Sequence, residues 1–333
     1  MRSTHSSSGP RGALAALIVA IASVGILGFA PPDASASPTP STGLLPSPSY
    51  ADAVASGDWL PTPGGLTFKS CVHEVPDDAV VSIADRTVVS DGVTTKIPAC
   101  PYSAVVPYPV TATSGAVSDA PSTSALATSP VPLPSGWWLS SWWSTTSQIT
   151  SLSADWTVPA NPTSNGGTIF LFPSVESTGG TWIVQPVLQW GSSAAGGGNS
   201  WNLASWYVGQ GTSLHTALLS TSAGHVLHGN MSRSGGSSSS WTIKATDTTT
   251  GYYRTLGAST SATSWPLAQG GVLEVYNVSY CSQLPNTTAV HFTNVNVATT
   301  PSASPSFTGV VGSSSCSGSV HVSSTYTYLW WTP

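Results

Sequence analysis

The second half of the chain constrains the fold most, because tryptophan and short β-type runs recur there without a helical period. Residues 137 to 333 hold thirteen of the fourteen tryptophans. Runs of β-branched and aromatic residues alternate with Gly, Asn and Ser, and turn signals return about every 8 to 15 residues. This spacing predicts an all-β, antiparallel β-sandwich or jelly roll, and about 200 residues are enough for one such core.

Two strands of this half carry polar residues where a core strand would be apolar. Side chains alternate between the faces of a strand, so the run Trp182–Trp190 places Gln185 and Gln189 together on one face. Glu274 lies between Leu273 and Val275, where burying an unpaired carboxylate is costly. Glu274 therefore needs a partner or a cleft.

Charge is scarce throughout the chain. Charged residues make up 6% of the sequence, so the chain lacks the basic surface that would neutralise several phosphates, and nucleic acid is excluded as a partner. Acid unfolding comes mostly from native carboxylates that must take up protons. A chain with few carboxylates loses little in acid, so an acidic working medium is expected.

The N-terminus has the pattern of a cleavable signal peptide spanning residues 1–36. A sparse basic start precedes an apolar run from Ala13 to about Ala30, and the small residues Ala34-Ser35-Ala36 follow. A membrane anchor is disfavoured because Gly25 and Gly28 interrupt the run and no basic stop-transfer flank follows it. We expect a secreted, extracellular protein with no membrane association after signal removal, and a monomer.

Four cysteines follow the signal peptide, an even number that predicts disulfides in an exported chain. They are Cys71, Cys100, Cys281 and Cys316. Three pairings are possible, of which Cys71 with Cys100 and Cys281 with Cys316 is the simplest. No spacing of Cys or His indicates zinc, and no metal or cofactor is predicted.

Composition divides the mature chain in two. Residues 37–136 are a Pro/Ser-rich propeptide or accessory segment that contains a linker to about residue 64 and a small β unit closed by Cys71 and Cys100. A Pro/Ser/Thr spacer from about 107 to 136 follows it. The β-sandwich domain comprises residues 137–333.

Several short motifs follow one another between about residues 150 and 300. They are Ala154-Asp155-Trp156-Thr157-Val158-Pro159, Leu188-Gln189-Trp190-Gly191, the aromatic stretch Trp201–Tyr207, Ser222-Ala223-Gly224-His225-Val226-Leu227, Asp247-Thr248-Thr249-Thr250-Gly251, and Leu273-Glu274 followed by His291-Phe292-Thr293-Asn294-Val295. In this order, the motifs resemble those of the eqolisins, the secreted glutamic peptidases.

The resemblance implies a concanavalin A-like β-sandwich that cuts polypeptides in acid with a dyad of Gln189 and Glu274. The carboxylate acts as general base on water and then returns the proton to the leaving amine, while the amide donates to the developing oxyanion. Gln185 shares the face of Gln189 and is a second candidate for that role. Aromatic residues that follow Gln189 are expected to line a substrate groove: Trp190, Trp201, Trp206 and Tyr207.

A carbohydrate-binding or glycan-cleaving sandwich is the alternative, with polysaccharide as the ligand. Flat aromatic faces suit sugar rings, and Glu176 with Glu274 is the carboxylate pair such an enzyme would use. A serine hydrolase is disfavoured because the sequence has no G-x-S-x-G elbow. If residues 37–136 are a propeptide, acid can weaken its contacts through the carboxylates Glu74, Asp77, Asp78 and Asp85.

Overall fold

The computed structural model describes residues 44–103, 105–107, 133–209, 211–234 and 239–333. The predicted signal peptide and most of the predicted Pro/Ser/Thr spacer lie outside these ranges. Among the described residues, no helix has the length and apolar character needed to cross a membrane.

Residues 44–107 are called the covering segment, and its described residues, 44–103 and 105–107, hold a short helix and six short strands. The elements are α1 (Tyr50–Ser56), β1 (Trp59–Thr62), β2 (Gly65–Phe68), β3 (Val72–Val75), β4 (Ala79–Ser82), β5 (Thr87–Ser90) and β6 (Val93–Lys96). Ser49 begins the helix by accepting a hydrogen bond from the Asp52 amide, and Gly57 ends it in the left-handed conformation. The linker prediction is therefore wrong for residues 50–62.

The remaining strands form the sandwich itself. They are β7 (Gly136–Ser144), β8 (Gln148–Thr157), β9 (Thr168–Glu176), β10 (Trp182–Ser193), β11 (Gly196–Gly209), β12 (Thr212–Thr216), β13 (Leu219–Ser220), β14 (Val226–Arg233), β15 (Ser240–Asp247), β16 (Tyr253–Ser259), β17 (Leu267–Tyr276), β18 (Ala289–Thr300), β19 (Thr308–Val311), β20 (Ser319–Val322) and β21 (Thr327–Trp330). The all-β prediction is confirmed.

Two large sheets stack into the sandwich. The first, which we call the site sheet, has the order β19-β7-β17-β9-β10-β11-β12-β3, with β13 beside β11. The second, the back sheet, has the order β20-β21-β18-β8-β14-β15-β16-β4-β5-β6. The covering segment extends both sheets, because β3 pairs in parallel with β12 and β4 pairs in parallel with β16. The small β unit expected between Cys71 and Cys100 is thus divided between the two large sheets, with β3 in the site sheet and β4, β5 and β6 in the back sheet, while β1 and β2 form a separate two-stranded sheet.

The main core lies between the two sheets. It buries large aromatic side chains from both, including Trp156 on β8, Trp201 on β11 and Trp241 on β15. Each buried aromatic side chain removes a large apolar area from water. This layer explains why the second half of the sequence is so rich in tryptophan.

A second apolar cluster lies on the opposite face of the site sheet. Phe170, Val187 and Trp206 of the sheet contact the covering segment there, which contributes Trp59 and Leu66 among others. The site sheet is therefore buried on both faces, by the back sheet on one and by the covering segment on the other.

Both simplest disulfide pairings are confirmed. Cys71 is bonded to Cys100 and Cys281 to Cys316. The first bond lies entirely within the covering segment, after β1 and β2.

Candidate active site

Glu274 and Gln189 lie on the covered face of the site sheet, in one row across three strands. Glu274 on β17 pairs with Phe170 on β9, and Gln189 on β10 pairs with Phe170 from the other side. Directly paired residues of antiparallel strands point to the same face. The structure thus places the two residues on one face, with the Phe170 ring between them.

Glu274 is fully buried, with 0% of its surface exposed, and its partners come from two distant parts of the chain. The Gly64 amide of the covering segment donates to both carboxyl oxygens, at 2.9 Å to Oε2 and 3.1 Å to Oε1. The Tyr276 hydroxyl lies 2.6 Å from Oε1 and 3.3 Å from the Thr62 carbonyl oxygen. The partner that the sequence required for Glu274 is therefore a turn of the covering segment together with a tyrosine on its own strand.

Burial makes Glu274 an unusually weak acid. Desolvation raises its pKa to about 8, although hydrogen bonds from Tyr276, Gly64 and Trp137 act in the opposite direction, and the charge of Glu176 adds a smaller increase. The carboxyl is therefore protonated in acid. The protonated carboxyl can then donate its O–H to the Tyr276 oxygen, while the Tyr276 hydroxyl donates to the Thr62 carbonyl oxygen. Each of these three groups then has a hydrogen-bond partner.

Gln185 lies on the same face and contacts the same turn. Its side-chain Nε2 donates to the Pro63 carbonyl oxygen at 2.6 Å, and the whole residue is buried. The Pro63 carbonyl and the Gly64 N–H belong to one peptide unit and point in opposite directions. A single peptide bond is therefore held between the amide of Gln185 and the carboxyl of Glu274.

The turn that reaches the site connects β1 to β2. Thr62 pairs with Gly65, which leaves Pro63 and Gly64 as the two central residues. Proline sets the first central position of a tight turn and glycine accepts the positive φ of the second, here +112°. The Thr62 hydroxyl also donates to the Gly65 carbonyl oxygen at 2.8 Å. The Thr-Pro-Gly-Gly sequence thus forms the rigid tip of this hairpin.

The side chain of Gln189 is hydrogen-bonded within the hairpin of β10 and β11. Its Nε2 donates to the carbonyl oxygens of Gly191 and Gly196, at 2.9 and 2.8 Å, and its Oε1 accepts from the Ser193 hydroxyl at 2.8 Å. The register between β10 and β11 shifts between Gln189 and Gly191. The amide of Gln189 therefore bridges the irregular end of this hairpin.

The four aromatic residues expected in a groove fall on two different faces. Trp190, Trp201 and Tyr207 are buried between the sheets, where Trp190 and Trp201 contact each other with ring centroids 5.3 Å apart. Only Trp206 lies on the face of Glu274, buried under the covering segment and 4.7 Å from the His215 ring. The first three therefore do not line the cleft of Glu274.

The histidine–carboxylate pairs lie on the back sheet or beside it. His225 Nδ1 is 2.7 Å from Asp247, and His228 Nδ1 is 2.6 Å from Asp155. Burial opposes ionisation of Asp247, but hydrogen bonds from His225 and Thr221 outweigh it and lower its pKa. In the described ranges, no group of three or more His, Cys, Asp or Glu side chains is arranged to hold a metal ion.

Sequence reasoning missed three contributors to the site. Tyr276 was detectable, because residues two apart on a strand share a face and Glu274 lies two positions before it. Pro63 and Gly64 carried only a turn signal. Nothing local in the sequence relates that turn to a strand 210 positions later.

Comparisons with known proteins return similar solved structures only. No family model matches the chain, and no curated protein matches it. A structure titled scytalido-glutamic peptidase with a transition state analog inhibitor is 17% identical, with 60% of this chain and 98% of that chain covered and a TM-score of 0.47. A member of the eqolisin family in complex with the tripeptide Ala-Ile-His is 16% identical over 60% and 98%, with a TM-score of 0.44. Aspergilloglutamic peptidase from Aspergillus niger is 13% identical over 50% and 99%, with a TM-score of 0.34. These neighbours are of the family that the motifs resemble, but likeness at this level assigns no residue and no activity to this chain.

Proposed function

We propose that this chain is a secreted, acid-active endopeptidase in which Glu274 carries the proton and a glutamine of β10 binds the substrate carbonyl. One observation carries the proposal. The cleft of Glu274 already holds a peptide unit, Pro63–Gly64, with its N–H on the carboxyl and its C=O on the Gln185 amide. A site with these two groups on opposite edges of a peptide bond has the parts that amide hydrolysis needs.

The chemistry follows from those parts. Ionised Glu274 takes a proton from water as the water oxygen bonds to the substrate carbonyl carbon, and a glutamine N–H stabilises the resulting oxyanion. When the C–N bond breaks, Glu274 returns the proton to the leaving nitrogen. The products are a carboxylic acid and an amine, and Glu274 is again ionised.

Activity in acid requires an open site. In the closed protein, desolvation raises the pKa of Glu274 and keeps the carboxyl protonated in acid, which favours the closed form there. Displacement of the hairpin tip admits water to the carboxyl and removes the main cause of its raised pKa. The open site can then ionise at a lower pH, where the chain, with only 6% charged residues, has few carboxylates to protonate.

The covering segment is the propeptide in this proposal, and its hairpin tip closes the site. Beyond the contacts with Glu274 and Gln185, the Pro61 carbonyl accepts from the Ala194 amide at 2.9 Å, and the hydroxyls of Thr67 and Ser213 lie 2.8 Å apart. The Gly64 N–H donates to the carboxyl itself, so the closed arrangement puts the hairpin tip on the group that would bind the attacking water. Export is supported by the signal-like N-terminus and by two disulfides, which persist in oxidising compartments.

The test is cleavage of an unfolded protein substrate between about pH 2 and 6 by the purified protein from which the covering segment has been released. Glu274→Gln is expected to lower kcat/KM by about 10²–10⁴-fold, because the general acid–base group is lost. The matched control is Asp155→Asn, which removes a carboxylate of the back sheet and should leave the rate unchanged. Equal rates for wild type and Glu274→Gln would rule out the role of Glu274.

A polysaccharide ligand is the other outcome of the same experiment. If the wild type cuts no peptide at any pH and is retained on an insoluble polysaccharide, the carbohydrate-binding alternative is correct. Release of reducing sugar that requires both Glu176 and Glu274 would instead identify a glycosidase.

A further inference from the structure

Gln185 is placed to hold a substrate carbonyl in a way that Gln189 is not. Its Nε2 lies 2.6 Å from the Pro63 carbonyl oxygen, a short hydrogen bond to a main-chain group from a distant part of the chain. The N–H of the same peptide unit, which belongs to Gly64, donates to the carboxyl of Glu274. Gln185 and Glu274 therefore contact opposite edges of one peptide unit.

The side-chain carbonyl oxygen of Gln185 also indicates a ligand site. Gln185 is 0% exposed, and its Oε1 has no hydrogen-bond partner within the part of the chain that the structure describes. A buried carbonyl oxygen without a partner is destabilising and uncommon in a region that serves only packing. A water or a substrate N–H that enters when the hairpin tip leaves would satisfy it.

Gln189, in contrast, has hydrogen-bond partners for both polar atoms of its side-chain amide. Both ends of its amide are hydrogen-bonded within residues 189–196. A Cβ on Gly197 would lie 2.5 Å from Gln189 Nε2, and a Cβ on Gly191 would lie 2.3 Å from the Gly167 carbonyl oxygen. The Leu-Gln-x-Gly motif is therefore explained by the close packing of this hairpin end.

We propose that Gln185, rather than Gln189, is the residue that binds the carbonyl oxygen of the substrate and stabilises its oxyanion, while Gln189 is a structural residue of the β10–β11 hairpin. This inference rests on the proposed peptidase function. In the reaction, the Gln185 N–H that now binds the Pro63 carbonyl donates to the oxygen on which negative charge develops, while Glu274 handles the water proton at the opposite edge of the peptide. No proton leaves Gln185 in either step.

Methionine substitutions separate the two glutamines, because methionine has a similar length and lacks the N–H donors. Gln185→Met is expected to lower kcat about 10²-fold at saturating substrate with KM changed by less than about threefold, as when one oxyanion donor is removed. Gln189→Met is expected to keep kcat within about threefold and to lower the melting temperature by several degrees. The opposite pattern, with kcat lost in Gln189→Met and kept in Gln185→Met, would overturn the proposal.

A second measurement does not depend on catalysis. Amide hydrogen exchange in Gln185→Met should accelerate at the tip, in peptides covering residues 60–68, and stay unchanged in residues 189–198. Gln189→Met should give the reverse. Tip exchange at the wild-type rate in Gln185→Met contradicts the proposal whether or not the protein is a peptidase. If the exchange pattern is as expected but the wild type cuts no peptide, the peptidase function fails together with the catalytic role, and Gln185 is left as a residue that holds a peptide carbonyl.

Discussion

The two faces of the site sheet are both buried, but by different means. The face toward the back sheet is almost wholly apolar and is covered by a layer of the same domain. The opposite face carries Gln185, Gln189 and Glu274 among its aromatic residues and is covered by a hairpin from residues 59–68. Every buried polar group on that face needs a partner, and for Glu274 and Gln185 the partner is the covering hairpin. We infer that the first face holds the fold together and that the second can open.

Truncating a large side chain between the sheets should have the largest effect on stability. Trp156 is 2% exposed and contacts Phe292 with ring centroids 5.5 Å apart. Trp156→Ala is expected to lower the free energy of unfolding by about 3–5 kcal/mol, because it removes apolar burial and leaves a cavity. Denaturant unfolding measures the change. The control is Trp142→Ala, at a tryptophan that is 42% exposed, which should cost far less. Equal losses would contradict the view that the inter-sheet face dominates stability.

The covered face should make stability depend on pH in an unusual direction. Burial raises the pKa of Glu274 to about 8 and that of Glu176 to about 7, both from 4.5. The folded state then holds these protons more tightly than the unfolded chain does. Their contribution is fully present below about pH 4.5 and is lost as the pH rises through 7 and 8, with a slope of at most about 1.4 kcal/mol per pH unit for each group.

Urea unfolding at about pH 4 and about pH 8 measures this dependence. The wild type should be more stable at the lower pH, and Glu274→Gln with Glu176→Gln should flatten the difference, because neither amide titrates. Asp247 has the opposite pH dependence. Because its pKa is lowered in the folded protein, it contributes stability above about pH 3.8, and this contribution is lost as the pH falls. A wild type that is more stable at pH 8 would contradict the assignment of raised pKa values to the covered face.

The sequence predicted which residues share a face of the site sheet, but it did not predict which segment of the chain packs on that face. Strict alternation along Trp182–Trp190 placed Gln185 and Gln189 on one face, and the structure confirms it. The same rule places Trp190 on the face opposite Gln189, so its burial between the sheets follows from the pattern that located the glutamine. The cover was not predictable, because the contact between Gly64 and Glu274 depends on tertiary packing between two segments that share no local pattern.

A substitution at the hairpin tip is expected to have the smallest effect on stability and the largest effect on access of substrate to the site. Gly64 has a φ of +112°, which a residue with a Cβ rarely adopts, and the added Cβ would lie 2.9 Å from Ile183 Cδ1, so Gly64→Ala strains the turn and forces either the tip or the Ile183 side chain to shift. The strain costs about 1–3 kcal/mol, which is less than the loss of a core tryptophan. Because the tip supplies the Glu274 and Gln185 contacts, displacing it should expose the site and raise the initial rate of peptide cleavage.

Gly57→Ala is the matched control for that substitution. Gly57 also has a positive φ, +68°, but no atom lies within 4 Å of the added Cβ, and the residue ends α1 away from the tip. Both variants pay for backbone strain, and only Gly64→Ala disturbs the contact with Ile183. A higher rate and faster amide exchange at residues 60–68 in Gly64→Ala alone would show that the covered face opens by release of the hairpin. The same rate in both variants would mean that the covering segment is a permanent layer of the fold, as fixed as the back sheet on the other side.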